Sequence, residues 1–172
     1  MKDGVSMNYL YESDRLGFIP ISEEYKNDYI DMYLNESIQQ RVFKKIYNKD
    51  QIEKWTEKLI SKNNHSYVIL SKENNSFIGN IEVILKDNII EIMLSIIPSM
   101  QNRHYGTEAI KETMNYCKNK FNISEFELFV YKNNLNAIHC YEKLGFVNEG
   151  NEISENDIHM KLKWGISLWI MS

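Results

Sequence analysis

Apolar positions change period several times along the chain, and each change marks an element. Residues 15–19 read as a short strand that Pro20 ends. Ser22, with Glu24 and Tyr25 behind it, opens an amphipathic helix to about Leu34, with Tyr25, Tyr29, Ile30 and Tyr33 on one face. Asn48 and Gln51 have capping-box spacing, and the helix they start carries Ile52, Trp55, Leu59 and Ile60. Three strands are predicted next, over residues 66–71, 77–85 and 88–97. The turn signals Glu73-Asn74-Asn75 and Lys86-Asp87-Asn88 divide them. Such close spacing implies an antiparallel meander.

After Pro98 the period lengthens. Ala109, Ile110, Met114 and Cys117 recur at helical spacing over residues 105–121, with Lys111, Glu112 and Lys118 opposite. Residues 126–131 form another strand, 136–144 a short helix ended by Gly145, and 158–162 a last strand. A strand, a long helix and a strand in succession make a crossover, so strands 88–97 and 126–131 should lie parallel and adjacent. The expected fold class is α/β (α+β), a mixed sheet with helices on it.

Composition narrows the function. The chain has 172 residues with no Pro/Gly/Ser linker and no repeat, so one domain over residues 1–172 is expected. Lys and Arg number 20 against 24 Asp and Glu, a net charge of -4, which argues against binding nucleic-acid backbone. The apolar run 89–98 carries Glu91, and residues 164–171 are fewer still, so neither is long enough to span a bilayer. No apolar signal core opens the chain, and a cytoplasmic location is expected. Cys117 and Cys140 have no CxxC partner, and His65, His104, His139 and His159 show no metal-ligand spacing. No metal is expected.

The informative stretch is residues 88–147. A strand ends at Ile97-Pro98, the polar loop Gln101-Asn102-Arg103-His104-Tyr105-Gly106 follows, and a helix starts near Thr107. Loop amides and a helix N-terminus make an anion site, to which Gln101 and Arg103 can add donors. Taken alone, a strand–loop–helix join with one glycine is also an ordinary connection. Further on, Asn134, Ala137, Tyr141, Glu142, Lys143, Leu144, Gly145 and Phe146 follow the pattern Asn-x-x-Ala-x-x-x-Tyr-Glu-Lys-Leu-Gly-Phe. With the loop, this resembles the GNAT superfamily of acetyl-CoA-dependent N-acetyltransferases, whose coenzyme motif is Gln/Arg-x-x-Gly-x-Gly/Ala. Asp14-Arg15-Leu16, Pro20, Tyr33-Leu34-Asn35, Phe77-Ile78-Gly79-Asn80-Ile81 and Asp157-Ile158-His159-Met160 are similar to its branch of ribosomal-protein and polyamine acetyltransferases.

The resemblance implies a mostly antiparallel central sheet of about seven strands flanked by helices. It implies acetyl-CoA as cosubstrate, bound by Gln101, Asn102, Arg103, His104, Tyr105, Gly106 and Thr107, with Asn134 on the pantetheine arm. It also implies that backbone amides near Leu94 and Ile96 hold the thioester carbonyl, and that Tyr141 protonates the departing thiolate. A free alkyl amine has a pKa near ~10.4, so a carboxylate must receive its proton. By position in the family pattern Glu91 is the first candidate for this base and Glu82 the second. Asn136, by spacing, is the expected N-cap of the short helix.

His104 is the departure, since the family usually has glycine there. Histidine tolerates positive φ better than most residues, and its ring could also donate to a phosphate. The acceptor is expected to be a small-molecule or peptide amine. A cationic one would suit Glu23, Glu24, Asp28, Asp31 and Glu36, clustered in and after the first helix. No nucleic-acid or membrane partner is expected, and a homodimer is allowed. Two other readings stay open: a non-catalytic or regulatory CoA-binding protein of the same fold, and an interaction module using the aromatics of the first helix.

Overall fold

Side chains alternate across each strand, so the two faces of the sheet are covered by different helices. The computed structural model describes residues 7–43, 45–62, 65–150 and 155–163. The strands are β1 (Tyr11–Glu12), β2 (Leu16–Pro20), β3 (Ser66–Ser71), β4 (Phe77–Lys86), β5 (Ile89–Ile96), β6 (Glu125–Tyr131), β7 (Val147–Asn148) and β8 (Asp157–Lys163). They form an 8-stranded sheet in the order β1-β2-β3-β4-β5-β6-β8-β7. Every neighbouring pair is antiparallel except β5–β6, which is parallel. The helices are α1 (Lys26–Leu34), α2 (Glu36–Val42), α3 (Lys49–Ser61), α4 (Tyr105–Phe121) and α5 (Leu135–Lys143).

One face buries Ile69, Ile81, Ile90, Ile92, Phe126 and Leu128 against Ala109, Ile110, Met114 and Cys117 of α4. The other buries Val68 and Leu70 under Tyr29, Ile30, Tyr33, Ile52 and Leu59 of α1 and α3. The crossover sits where the periodicity places it: α4 connects β5 to β6. Asn48 and Gln51 form the full capping box of α3, each side chain bonding the other's backbone N–H.

The sheet has one strand more than the resemblance implies, and α2 was not expected. Asn35 leaves helical geometry (ψ 119) and its side chain accepts from the N–H groups of Ser37 and Ile38, so the chain restarts as a second helix. Ser22 precedes a short 3-10 turn and makes no side-chain cap. Asn136 does not cap α5. That helix starts at Leu135, and Asn134 accepts from the Ala137 N–H at 3.4 Å. Residues 164–171 lie outside the described residues. Among the described residues, no helix is long and apolar enough to cross a membrane. The two cysteines are free.

Two backbone details shape the site. First, β5 and β6 pair only at Ile89↔Glu125, Ile90↔Phe126 and Glu91↔Glu127, although both strands continue beyond. They splay apart from there. Second, β4 presses so close to β5 at Gly79 that a Cβ there would collide with the Ser95 carbonyl oxygen. Gly79→Ala should therefore cost about 1–3 kcal/mol, read as a lower urea midpoint. An unchanged midpoint would show that the two strands separate freely at this point.

Candidate active site

The splay opens a cavity of about 690 Å³ between the C-terminal halves of β5 and β6. Just past the end of β5, the Ile97 N–H bonds the Ile78 carbonyl on β4, and along a strand neighbouring residues point their amides to opposite sides. The amides of Leu94 and Ile96 thus face the gap that β6 has left. Both residues line the cavity.

The loop 101–107 forms one wall. Asn102 (φ 60) and His104 (φ 64, ψ 10) are left-handed, and His104 is the N-cap of α4. Histidine has taken the backbone conformation that glycine adopts freely. The amides of Tyr105, Gly106 and Thr107, as the first three of the helix, lack intrahelical partners, and all three residues line the cavity. Gly106 packs close under β5, where a Cβ would lie 3.3 Å from Leu94 Cδ2. Two loop residues differ from expectation. Gln101 lines the cavity but donates its side-chain N–H to the Ile96 carbonyl at 2.8 Å, tying loop to strand. Arg103 does not line the cavity, and its carbonyl accepts from Arg15.

Helix α5 forms the opposite wall through Asn134 and Tyr141. Its end is a Schellman motif: the Phe146 N–H bonds the Tyr141 carbonyl, the Gly145 N–H bonds that of Glu142, and Gly145 has φ +95. This closure sets Phe146 against Tyr141, ring centroids 6.2 Å apart, and so fixes the phenol. Burial, with Cys140 alongside, pushes that phenol up to about 12. Its hydroxyl makes no hydrogen bond among the described residues. Asn134 is occupied through Oδ1 as a cap, and its amide N–H₂ makes no hydrogen bond among the described residues.

The two candidate carboxylates have different surroundings. Glu91 lines the cavity at the last β5–β6 register pair, facing Glu127. Two carboxylates opposite each other repel, and Lys86 bridges them, pairing with Glu91 and reaching Glu127 at 2.9 Å. His159 Nε2 lies 2.8 Å from the other Glu127 oxygen. Burial opposes the charge on Glu127, yet Lys86 and His159 hold its carboxyl below the usual range.

Glu82 pairs with no such cation among the described residues. It is half-buried beside α1, and burial, with the Glu91 charge adding, pushes it up to about 7 against the pull of Asn80. It does not itself line the cavity, but its cross-strand partner Met93 does. A chain of donors runs toward it: Tyr33 O–H to Asn80 Oδ1 at 3.0 Å, then Asn80 Nδ2–H to Glu82 at 3.4 Å. Tyr33 and Ser95, whose oxygens are 3.5 Å apart, line the cavity at the head of that chain. Tyr33 and Asn80 stand in the family-like stretches of the sequence with no role assigned to them, and Ser95 carries no motif. Glu23, Glu24, Asp28, Asp31 and Glu36 are all exposed and line no part of the cavity.

An anion cradle on a helix N-terminus, free strand amides and a half-buried phenol around one gap are the donor set an acyl thioester of coenzyme A requires. A model of the acetyltransferase (GNAT) domain matches residues 15–147, and the chain belongs to that family. It is an acetyl-CoA-dependent N-acetyltransferase. The spermidine N(1)-acetyltransferase of Vibrio cholerae is 27% identical over 125 residues, 70% of this chain and 72% of that protein. Among solved structures, a GNAT-family acetyltransferase from Bacillus anthracis matches with TM-score 0.78 and 13% identity, over 89% of this chain and 97% of that one. The Vibrio cholerae spermidine N-acetyltransferase in complex with CoA and spermine matches with TM-score 0.76 and 22% identity, over 87% and 96%. A dodecameric structure of that enzyme also matches, with TM-score 0.72 and 20% identity, over 93% and 100%.

Proposed function

We propose that the chain transfers acetyl from acetyl-CoA directly to a primary amine, with both held in one complex around the β5–β6 gap. The observation that carries this reading is the gap itself. Strand amides freed by the splay face a cavity walled by an anion cradle on one side and Tyr141 on the other. The coenzyme supplies an activated acetyl group, and the residues divide the remaining work.

Amides at Asn102 and His104–Thr107 take the diphosphate, and the Asn134 amide group takes the pantetheine arm. The Leu94 and Ile96 amides donate to the thioester oxygen as it gains negative charge. Glu82 is the base. Its carboxyl near about 7 is poised to take a proton through water, whereas Glu91 is already committed to Lys86. As the amine nitrogen bonds to the acetyl carbon and the carbon–sulfur bond breaks, Tyr141 donates to the departing sulfur. The proton released by the amine passes to Glu82.

The acceptor is a cationic amine of the polyamine class. Support comes from the spermidine acetyltransferases to which the chain is similar, and not from the carboxylates of α1, which lie away from the cavity. Self-association belongs to the same proposal, supported by the dodecameric relative. So does a cytoplasmic location, where acetyl-CoA is made and used.

Acetyl-CoA mixed with spermidine, spermine, an aminoglycoside and a basic peptide should release free thiol fastest with the polyamines. The product should gain one acetyl group by mass. Release with only the peptide would move the acceptor class. Coenzyme binding by calorimetry without thiol release from any amine would favour the non-catalytic reading.

A further inference from the structure

Arg15, in the turn between β1 and β2, reaches across the chain to the coenzyme loop. Its Nε and Nη2 each lie 2.7 Å from Glu108 Oε2, and its backbone N–H donates to Glu108 Oε1 at 2.9 Å. Ser13 adds a hydroxyl on the same oxygen at 2.7 Å. The remaining arm of the guanidinium, Nη1, donates to the Arg103 carbonyl at 3.2 Å, and its Cζ lies over the Tyr105 ring, 4.4 Å from the centroid. One side chain therefore grips the first turn of α4 and the residue before its N-cap together.

The grip on the Arg103 carbonyl has a geometric consequence. In a trans peptide the C=O and the following N–H point in opposite directions, and no cis bond is present among the described residues. Neither Arg15 nor Arg103 lines the cavity, whereas His104 does. With the carbonyl bonded to Arg15, the His104 N–H points away from Arg15, and no backbone partner for it occurs among the described residues. The peptide that must stay in this orientation leads into a histidine at φ 64, a conformation that non-glycine residues rarely hold without support.

We propose that Arg15 is a positioning residue for the coenzyme, a latch that keeps the 103–104 peptide turned so that the His104 amide joins the diphosphate cradle. This rests on the reading that the diphosphate sits on the loop. Arg15 also neutralises Glu108, whose carboxylate would otherwise stand unpaired one turn into the helix that receives an anion. Burial works against that charge, but Ser13 and Arg15 hold the Glu108 carboxyl below its usual range.

The test is acetyl-CoA affinity by calorimetry, with thermal unfolding to verify that each variant folds. Arg15→Met should weaken binding about tenfold, the worth of one charge-assisted hydrogen bond, with kcat at saturating coenzyme falling less. Arg15→Lys keeps the charge but has no planar fork to span Glu108 and the Arg103 carbonyl, so it should lose nearly as much. In a His104→Gly background the loss on removing Arg15 should shrink to about threefold, because glycine holds positive φ unaided.

Unchanged affinity in Arg15→Met overturns the latch. So does full rescue by Arg15→Lys, which would reduce Arg15 to a charge, and so does an Arg15→Met effect of equal size in both backgrounds. Gly106→Leu separates this from the reading beneath it, since it plants a bulky side chain beside Leu94 at the cradle. If Gly106→Leu binds acetyl-CoA normally, the coenzyme is not on this loop and both fall. If it blocks binding while Arg15→Met has no effect, the latch alone falls.

Discussion

Tyr141→Phe should lower kcat by about 10²–10⁴-fold while leaving acetyl-CoA affinity and the melting temperature close to wild type. The ring stays, so the packing on Phe146 that the Schellman closure imposes is retained. Only the hydroxyl, the proposed donor to the sulfur, is lost. Because burial pushes the phenol up to about 12, it keeps its proton at every pH at which the enzyme would be assayed. Its titration should therefore not appear in the pH–rate profile below that range. A thioester whose thiol leaves easily would narrow the gap between Tyr141→Phe and wild type, since a weaker base needs less help from a proton donor. Turnover equal to wild type with acetyl-CoA would assign the proton to water and leave Tyr141 as packing.

Glu82→Gln should be comparably damaging to kcat and should also change its pH dependence. The wild-type rate should climb as pH rises through about 7, where Glu82 ionises and becomes able to accept a proton. Burial sets this point above all, with Asn80 donating to the charge and Glu91 on β5 repelling it; Tyr29 and Tyr33 of α1 feel that charge in turn. The amide has no such ionisation, so the acidic limb should vanish.

Stability should move the other way. Between the ordinary carboxylate range and about 7 the folded state holds a proton that the unfolded chain releases, so folding weakens as pH rises across that window. Glu82→Gln removes that slope and should melt higher than wild type at pH 8. A variant with wild-type turnover and an intact acidic limb would return the role of base to Glu91, which would then have to act while paired to Lys86.

Much of the frame was legible without coordinates because it depends on neighbours in the chain. The strand Ser66–Ser71 falls on its expected limits, the helix Tyr105–Phe121 fills the span of its apolar stripe and begins two residues before Thr107, and the Asn48/Gln51 box closes as its spacing implies. These are short-range effects: alternation for a strand, a 3.6-residue stripe for a helix, a side chain meeting an amide three residues on. Local rules failed where two candidates met the same rule. Asn134 and Asn136 are both capping residues by type. The turn bond from the Asn134 N–H to the Tyr131 carbonyl at 2.9 Å starts α5 at the first of them.

The sequence by itself determined the order of the elements, the parallel crossover, the αL-prone loop before α4 and the Asn134–Phe146 motif. Each is written in residues within a few turns of one another. Tertiary structure alone decided how the carboxylates differ. Glu82 and Glu91 are both strand glutamates in the chain, but Lys86 and Glu127 converge on one while α1 buries the other. It also decided that Arg15 reaches a loop 88 residues away. A charge's proton affinity and a peptide's orientation depend on what lies within a few ångströms in space, and separation along the chain carries no record of that distance.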